Sequence, residues 1–340
     1  MRRMTAVLSG VALAAALAAL GTAQADTSKM KIAFSNNYAG NSWRQAMLKS
    51  YDIVTKKAVA DHAVAAADVF TTADKEVPTQ AAQIQNLILQ GYNGIVINAS
   101  SPDALNGAIK QACDAGIVVV SFDGIVTEPC AWRVVVDFKK MGEEEVNFLA
   151  TRLKGGNLLE IRGLAGTSID EAIHQGILEG VKKHPEFKIV NTVTGDWDQT
   201  TAQKAVATVL PSLPEIAGIV DQGGDGYGAA QAFKAAGRPE PTIIMGNRQD
   251  ELQWWKEQKA ANGYVTWSAS IAPGVSTLAF WVCQQILDGH KDVPHDLLVP
   301  YLQFTQDDFE AELPNIEKGS VASHEYTQAD AIAAIKANMK

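Results

Sequence analysis

Short β-branched runs alternate along the chain with longer amphipathic segments. Lys31–Asn36, Ala66–Thr71, Gly94–Asn98 and Ile117–Phe122 read as strands, and Trp43–Val59, Val77–Gln90 and Asp103–Ala115 as the helices between them. Within Val77–Gln90, the apolar residues Ala82, Ile84, Leu87 and Ile88 recur near the helical period. Ser101-Pro102 supplies a cap and a proline at the first helical position for Asp103–Ala115, and Gly116 ends that helix. The strand runs are almost continuously apolar, as in a sheet covered on both faces. Strands alternating with helices predict right-handed βαβ units around a parallel sheet.

The pattern then restarts. Helices are predicted at Met141–Leu153, Ile169–Lys183, Gln199–Leu210, Tyr227–Ala236, Asp250–Gln258 and Val275–Leu287. Strands are predicted at Asn157–Arg162, Lys188–Thr194, Ala217–Val220, Thr242–Met245 and Gly263–Ser268. Two such runs predict an α/β protein of two similar doubly wound parallel-sheet lobes. The break falls at Trp132–Asp137, an extended segment, and no Ser/Gly-rich linker separates the lobes. The chain is therefore expected to cross between them as ordered hinge strands.

Composition agrees with this and narrows the function. The chain has 340 residues, 47% hydrophobic and 20% charged, which is globular usage and excludes a disordered, collagen-like or coiled-coil protein. Its length favours two domains. The net charge of −9 offers no gain from counterion release, so no nucleic-acid partner is expected. Met1-Arg2-Arg3, the apolar run Ala6–Leu20 and Thr22-Ala23-Gln24-Ala25 before Asp26 read as a cleaved signal peptide over residues 1–25. The expected destination is the periplasm. No Cys stands at the cleavage site to carry a lipid anchor, and no later apolar run approaches the roughly 18 residues of a membrane span.

Three cysteines remain. Cys113 lies on the helix leading into the Ile117–Phe122 strand, and Cys130 in the loop leaving it. That arrangement can bring them within the roughly 5–6 Å Cα spacing of a disulfide. Cys283 sits in the apolar stretch Leu278–Leu287. Neither the cysteines nor the six scattered His show a metal-ligand spacing, so no metal is expected.

In doubly wound sheets ligands lie beyond the carboxyl ends of the strands. Those ends carry Asn36-Asn37-Tyr38, Asn98-Ala99-Ser100 and Asp123 in the first half, and Leu164, Trp197, Asp221-Gln222 and Gly246-Asn247-Arg248 in the second. Amides and carboxylates bind hydroxyls, and an indole offers an apolar face to sugar C–H groups. Taken singly, each of these Asn and Asp residues could instead cap a turn. Gly224-Asp-Gly-Tyr-Gly-Ala229 matches G-x-G-x-x-A, but Asp221 and Asp225 beside it would repel a pyrophosphate, so it reads as a helix-opening turn. Glu143-Glu144-Glu145 reads as a solvated helix start that complements the dipole. No Walker A motif, G-x-S-x-G elbow or H-E-x-x-H is present. The expectation is ligand binding without covalent chemistry and without a cofactor.

Four segments carry a resemblance: Asn41-Ser42-Trp43-Arg44, Ile117–Asp123, Gly166-Thr167-Ser168 and Gly195-Asp196-Trp197-Asp198. In order and spacing they resemble the periplasmic sugar-binding proteins of ABC importers, in the ribose-binding-like (type I) group, over residues 30–305. The resemblance implies lobes joined by three hinge strands. Lobe 1 would hold 26–136 plus about 270–300, and lobe 2 would hold 137–269 plus about 301–340. By position it implies Trp43 as a stacking aromatic and Asp123 as the carboxylate that binds two sugar hydroxyls. Trp197 takes the place of a second-lobe aromatic and Gln222 that of an amide. Asn247 and Arg248 occupy a polar turn, Arg44 adds a charged donor where an aromatic is usual, and Ser268 or Ser270 falls at a polar hinge position. Asn37, Asn41 and Asn98 complete the candidate ligand set. Gly124 and Ile173 stand where relatives commonly carry Arg, so the ligand need not be ribose. The resemblance implies a monomeric carrier that captures a monosaccharide or sugar alcohol for a membrane permease. Alternatives are a sensor of a furanosyl signalling molecule, a protein that feeds a chemoreceptor, and, in another class, an NAD-dependent oxidoreductase.

Overall fold

The computed structural model describes residues 26–73, 75–290 and 292–339, so the predicted signal peptide lies outside the described residues. Lobe 1 begins with β1 (Lys31–Asn36), α1 (Ser42–Ala60), β2 (Ala66–Thr71), α2 (Val77–Leu89), β3 (Gly94–Asn98), α3 (Asn106–Asp114), β4 (Val118–Phe122) and β5 (Trp132–Val136). Lobe 2 continues with α4 (Phe138–Arg152), β6 (Gly156–Arg162), α5 (Ser168–Lys183), β7 (Phe187–Thr194) and α6 (Gln199–Val209). It goes on with β8 (Gly218–Asp221), α7 (Gly226–Ala235), β9 (Thr242–Ile243), α8 (Gln249–Asn262) and β10 (Ser268–Ser270). The chain then returns to lobe 1 as α9 (Val275–Leu287) and β11 (Asp296–Val299), and re-enters lobe 2 as β12 (Leu302–Phe304) and α10 (Phe309–Glu312). The last helix is α11 (Gln328–Asn338).

Both main sheets are parallel. Lobe 1 has the order β11-β5-β4-β3-β1-β2 and lobe 2 the order β7-β6-β8-β9, while β10 and β12 form an antiparallel pair at the junction. Every residue of β3 is buried, because helices cover both faces of its sheet. One cover is α9, in which Val275 to Gln285 are all buried. Its Cys283 Sγ presses on Gly94 so closely that no Cβ would fit there. The chain crosses between lobes after β5, between β10 and α9, and between β11 and β12, which are the three hinge segments.

Several boundaries differ from the expectation for identifiable reasons. Trp132–Asp137 is extended as expected, and its strand pairs in parallel with both β4 and β11. The Asp103–Ala115 helix starts only at Asn106, because Ser101 Oγ accepts from Ala104 N at 3.2 Å and closes a separate turn first. In place of a strand at Gly263–Ser268, α8 runs to Asn262 and stops on Gly263 with φ 75°, and the strand begins at Ser268. After β12, Phe309, Leu313 and Ile316 pack into the core of lobe 2. A fourth crossing carries α11 back, where Ala331 and Ile335 join the core of lobe 1. Glu145 is buried rather than solvated, and its Oε2 accepts from Asp221 N at 3.0 Å, tying α4 to the end of β8. Cys113 and Cys130 form a disulfide with Cα atoms 6.4 Å apart, pinning α3 to the loop after β4.

Candidate ligand-binding site

The cleft between the lobes contains a cavity of about 60 Å³. On the lobe 1 side, Asp123 directly follows β4 in a left-handed conformation, φ 55°, which short polar side chains tolerate better than most. Asn98, at the end of β3, donates from Nδ2 to Asp123 Oδ2 at 2.8 Å and accepts from Gly124 N at 3.2 Å. Arg44 Nη2 lies 3.0 Å from the same Asp123 oxygen, and both side chains are buried. Burial pushes the Asp123 carboxyl above its ordinary range, and the Arg44 charge opposes that rise.

The first turn of α1 fixes Arg44 and Trp43. Asn41 caps the helix by accepting from Arg44 N at 2.8 Å. Trp43 donates from its indole Nε1 to Ile271 O at 2.7 Å, in the segment between β10 and α9, so the ring that lines the cavity is anchored at its polar edge. The Arg44 guanidinium lies 5.2 Å from the Trp43 ring centre.

On the lobe 2 side, Asp196 and Trp197 are both left-handed, φ 57° and 55°. For a Trp this costs of order 1–3 kcal/mol. The indole packs directly against Gly163, where any Cβ would collide with it. Gln222 spends both ends of its amide on backbone, accepting from Gly163 N at 3.0 Å and donating to Asp170 O at 2.9 Å. It therefore braces the wall more than it offers free donors. Arg248 crosses the cleft: Nη1 donates to Ser42 Oγ of lobe 1 at 2.6 Å, and Nη2 donates to Trp197 O at 2.6 Å. Its guanidinium fits over Gly224, φ 112°, where a side chain would block it.

Beneath Arg248 lie three buried carboxyls, Asp221, Asp225 and Glu251. Glu251 accepts from Gly226 N at 3.1 Å and from Arg248 N at 3.2 Å, holding the start of α8 against the start of α7. Burial raises all three, and Asp225 is pushed up to about 8 even though Arg248 pulls it down. The turn that resembled a dinucleotide fingerprint thus packs its acids inward. Among the described residues, no group of three or more His, Cys, Asp or Glu is arranged to hold a metal ion.

Asn41, Trp43, Arg44, Asp123, Trp197, Gln222, Asn247 and Arg248 all line this cavity. Ser268 does not. It is fully buried, and its hydroxyl donates to Asn247 Oδ1, while Asn247 Nδ2 donates to Leu302 O at 2.7 Å. Ser270, the other candidate at that hinge, faces the cavity. Asn37 and Asn98 are also off this cavity and line an adjoining chamber of the cleft. Phe138 and Met141 on α4, and Ile169 and Ile173 on α5, give the cavity an apolar floor, of which the sequence singled out only Ile173. Spacings of i+3 and i+4 marked each pair as one helix face, but not which face lines the cavity.

Residues 32–291 match the family model described as a periplasmic binding protein domain. The chain belongs to the periplasmic binding protein family. This is a family of binding proteins rather than enzymes. As a periplasmic binding protein the chain is similar to a xylitol-binding protein of Mycolicibacterium smegmatis, 31% identical over 60% of this chain and 61% of the relative. It is similar also to the ribose import binding protein of Salmonella typhimurium, 25% identical over 72% of this chain and 79% of that one. Among solved structures, an ABC transporter solute binding protein from Thermobispora bispora superposes with a TM-score of 0.82 at 32% identity, covering 91% of this chain and 95% of that chain.

Proposed function

We propose that this periplasmic binding protein captures a small monosaccharide or sugar alcohol between its lobes and hands it to the permease of an ABC importer. The observation that carries the reading is the pairing of Trp43 from lobe 1 and Trp197 from lobe 2 around a cavity whose charged wall is Arg44–Asp123. Indole faces suit C–H groups, and a carboxylate beside a guanidinium offers acceptors and donors to neighbouring hydroxyls. The names of the xylitol- and ribose-binding relatives point the same way.

The mechanism is closure. A ligand that touches both walls favours the closed form by its differential affinity for that form. Arg248 adds a direct contact between lobes through Ser42. The permease then distinguishes closed, loaded carrier from open, empty carrier. The protein works in this reading as a monomer in the periplasm.

Thermal melting of the mature protein against pentoses, hexoses and pentitols tests it. A ligand at 100 times its dissociation constant should add about 2.7 kcal/mol of stability. A panel in which no sugar or polyol raises the melting temperature overturns the reading.

A further inference from the structure

We propose that the cleft holds a second subsite, beside the one at Asp123, that accepts the outer sugar unit of a glycoside. The inference rests on the sugar-binding reading above. The adjoining chamber measures about 240 Å³, against about 60 Å³ for the inner cavity. Arg44, Ile169 and Trp197 line both, so the two spaces meet along those side chains. A ligand held between Trp43 and Trp197 would have one edge facing the larger space.

The chamber is built from both lobes. Lobe 1 supplies Asn37, Ser100 and Pro102, and lobe 2 supplies Ala165, Thr167 and Ser168. The polar side chains among these are neutral amides and hydroxyls, which pair with sugar hydroxyls in either direction. Two of the residues carry unspent capacity: Asn37 Oδ1 and Ser100 Oγ are buried and have no hydrogen-bond partner. Asn37 is held in place by its other end, which donates to Ala99 O at 3.0 Å. A buried acceptor left unpaired is costly, and a hydroxyl donor from a ligand would remove that cost. Among the described residues no carboxylate lines the chamber, and the charged side chains there are Arg44, already paired with Asp123, and Lys75. That lining suits a neutral polyhydroxyl unit and gives a cationic substituent nothing to pair with.

Titration by intrinsic fluorescence tests the subsite on the full mature chain. The probes are D-ribose, D-allose and xylitol, with the O-glucosyl derivative of each. For whichever parent binds, at least one O-glucosyl derivative should bind within tenfold of it or tighter. Derivatives that all bind more than tenfold weaker overturn the subsite. Ala165→Trp fills the chamber from an exposed position and should weaken the derivative at least tenfold while the parent changes less than threefold. Equal change in both, or no change in the derivative, overturns the subsite. If the Trp variant no longer binds the parent, Ala165→Leu is read by the same criterion. Binding of no parent sugar and no derivative refutes the sugar reading itself. Parent binding without derivative binding refutes the subsite alone.

Discussion

Arg44 Nη2 and Asp123 Oδ2 stand 3.0 Å apart, each side chain buried, one at the start of α1 and the other just past the end of β4. The two opposite charges offset one another on this wall of the cleft. It also couples affinity to stability at this position, since removing one partner strands the other charge away from water.

Asp123→Ala should therefore act twice. Loss of charge-assisted hydrogen bonds to ligand should weaken binding by roughly 2–4 kcal/mol, or about 30- to 1000-fold. The stranded Arg44 should also lower ligand-free stability by about 3–5 kcal/mol. The double variant Arg44→Met/Asp123→Leu should recover most of the stability and none of the affinity. Melting and fluorescence titration on both variants check this, and a double variant that binds sugar normally removes the pair from the site.

The acids under Arg248 set a pH dependence. Burial lifts Asp221, Asp225 and Glu251 above their ordinary range, Asp225 to about 8. A raised carboxyl binds its proton more tightly folded than unfolded. Its contribution is thus complete below the unfolded value near 3.8 and is lost as pH rises towards 8. Ligand-free stability should fall between pH 4 and pH 8, by up to about 1.4 kcal/mol per pH unit from Asp225, with Asp221 and Glu251 acting in the same direction. Asp225→Asn, which stays neutral, should flatten that slope. Urea unfolding at several pH values reads it, and a slope identical to wild type would count against a protonated Asp225.

Ser42→Ala tests the contact between lobes. It deletes the acceptor for Arg248 Nη1 while leaving the Asn41 cap intact. A hydrogen bond to a charged group is worth about 1.5–3 kcal/mol at most in this setting, so sugar affinity should drop by about tenfold. Small-angle scattering of the ligand-free protein should show a shift towards more open lobes. Unchanged affinity and unchanged scattering would mean that the bond does not bias closure.

The Cys113–Cys130 bridge closes a short loop, its ends 17 residues apart in sequence, and in the chain-entropy model such a loop contributes about 3 kcal/mol. Cys113→Ser/Cys130→Ser should lower stability by about that amount and leave sugar binding unchanged, because the bridge lies outside both lined spaces of the cleft. Denatured, unreduced wild type should titrate one thiol, Cys283, and three after reduction. Cys283 itself should react only on unfolding, since it is buried and its thiol is raised by that burial.

Local signals carried much of this protein. The apolar runs at Lys31–Asn36 and Gly94–Asn98 and the periodic stretch Val275–Leu287 were readable as elements, because β-branched runs and helical spacing are properties of neighbouring residues. So was the position of Asp123 beyond a strand, and of Trp43 at the start of a helix, though not that Asn41 caps it. Tertiary structure alone decided what those residues face. Arg44 meets Asp123 because α1 and β4 come together across the sheet edge, which no local spacing encodes. Trp132–Val136 was readable as an extended segment, but its parallel partners β4 and β11 were not. Glu145 looked like solvent-facing charge until β8 brought an amide to its carboxylate. The tail returned to lobe 1 because α9 left an apolar face there for Ala331 and Ile335. Residue type and short-range period establish which elements form. Burial, charge pairing and the far ends of hydrogen bonds depend on segments distant in the chain, and exist only once those segments have packed.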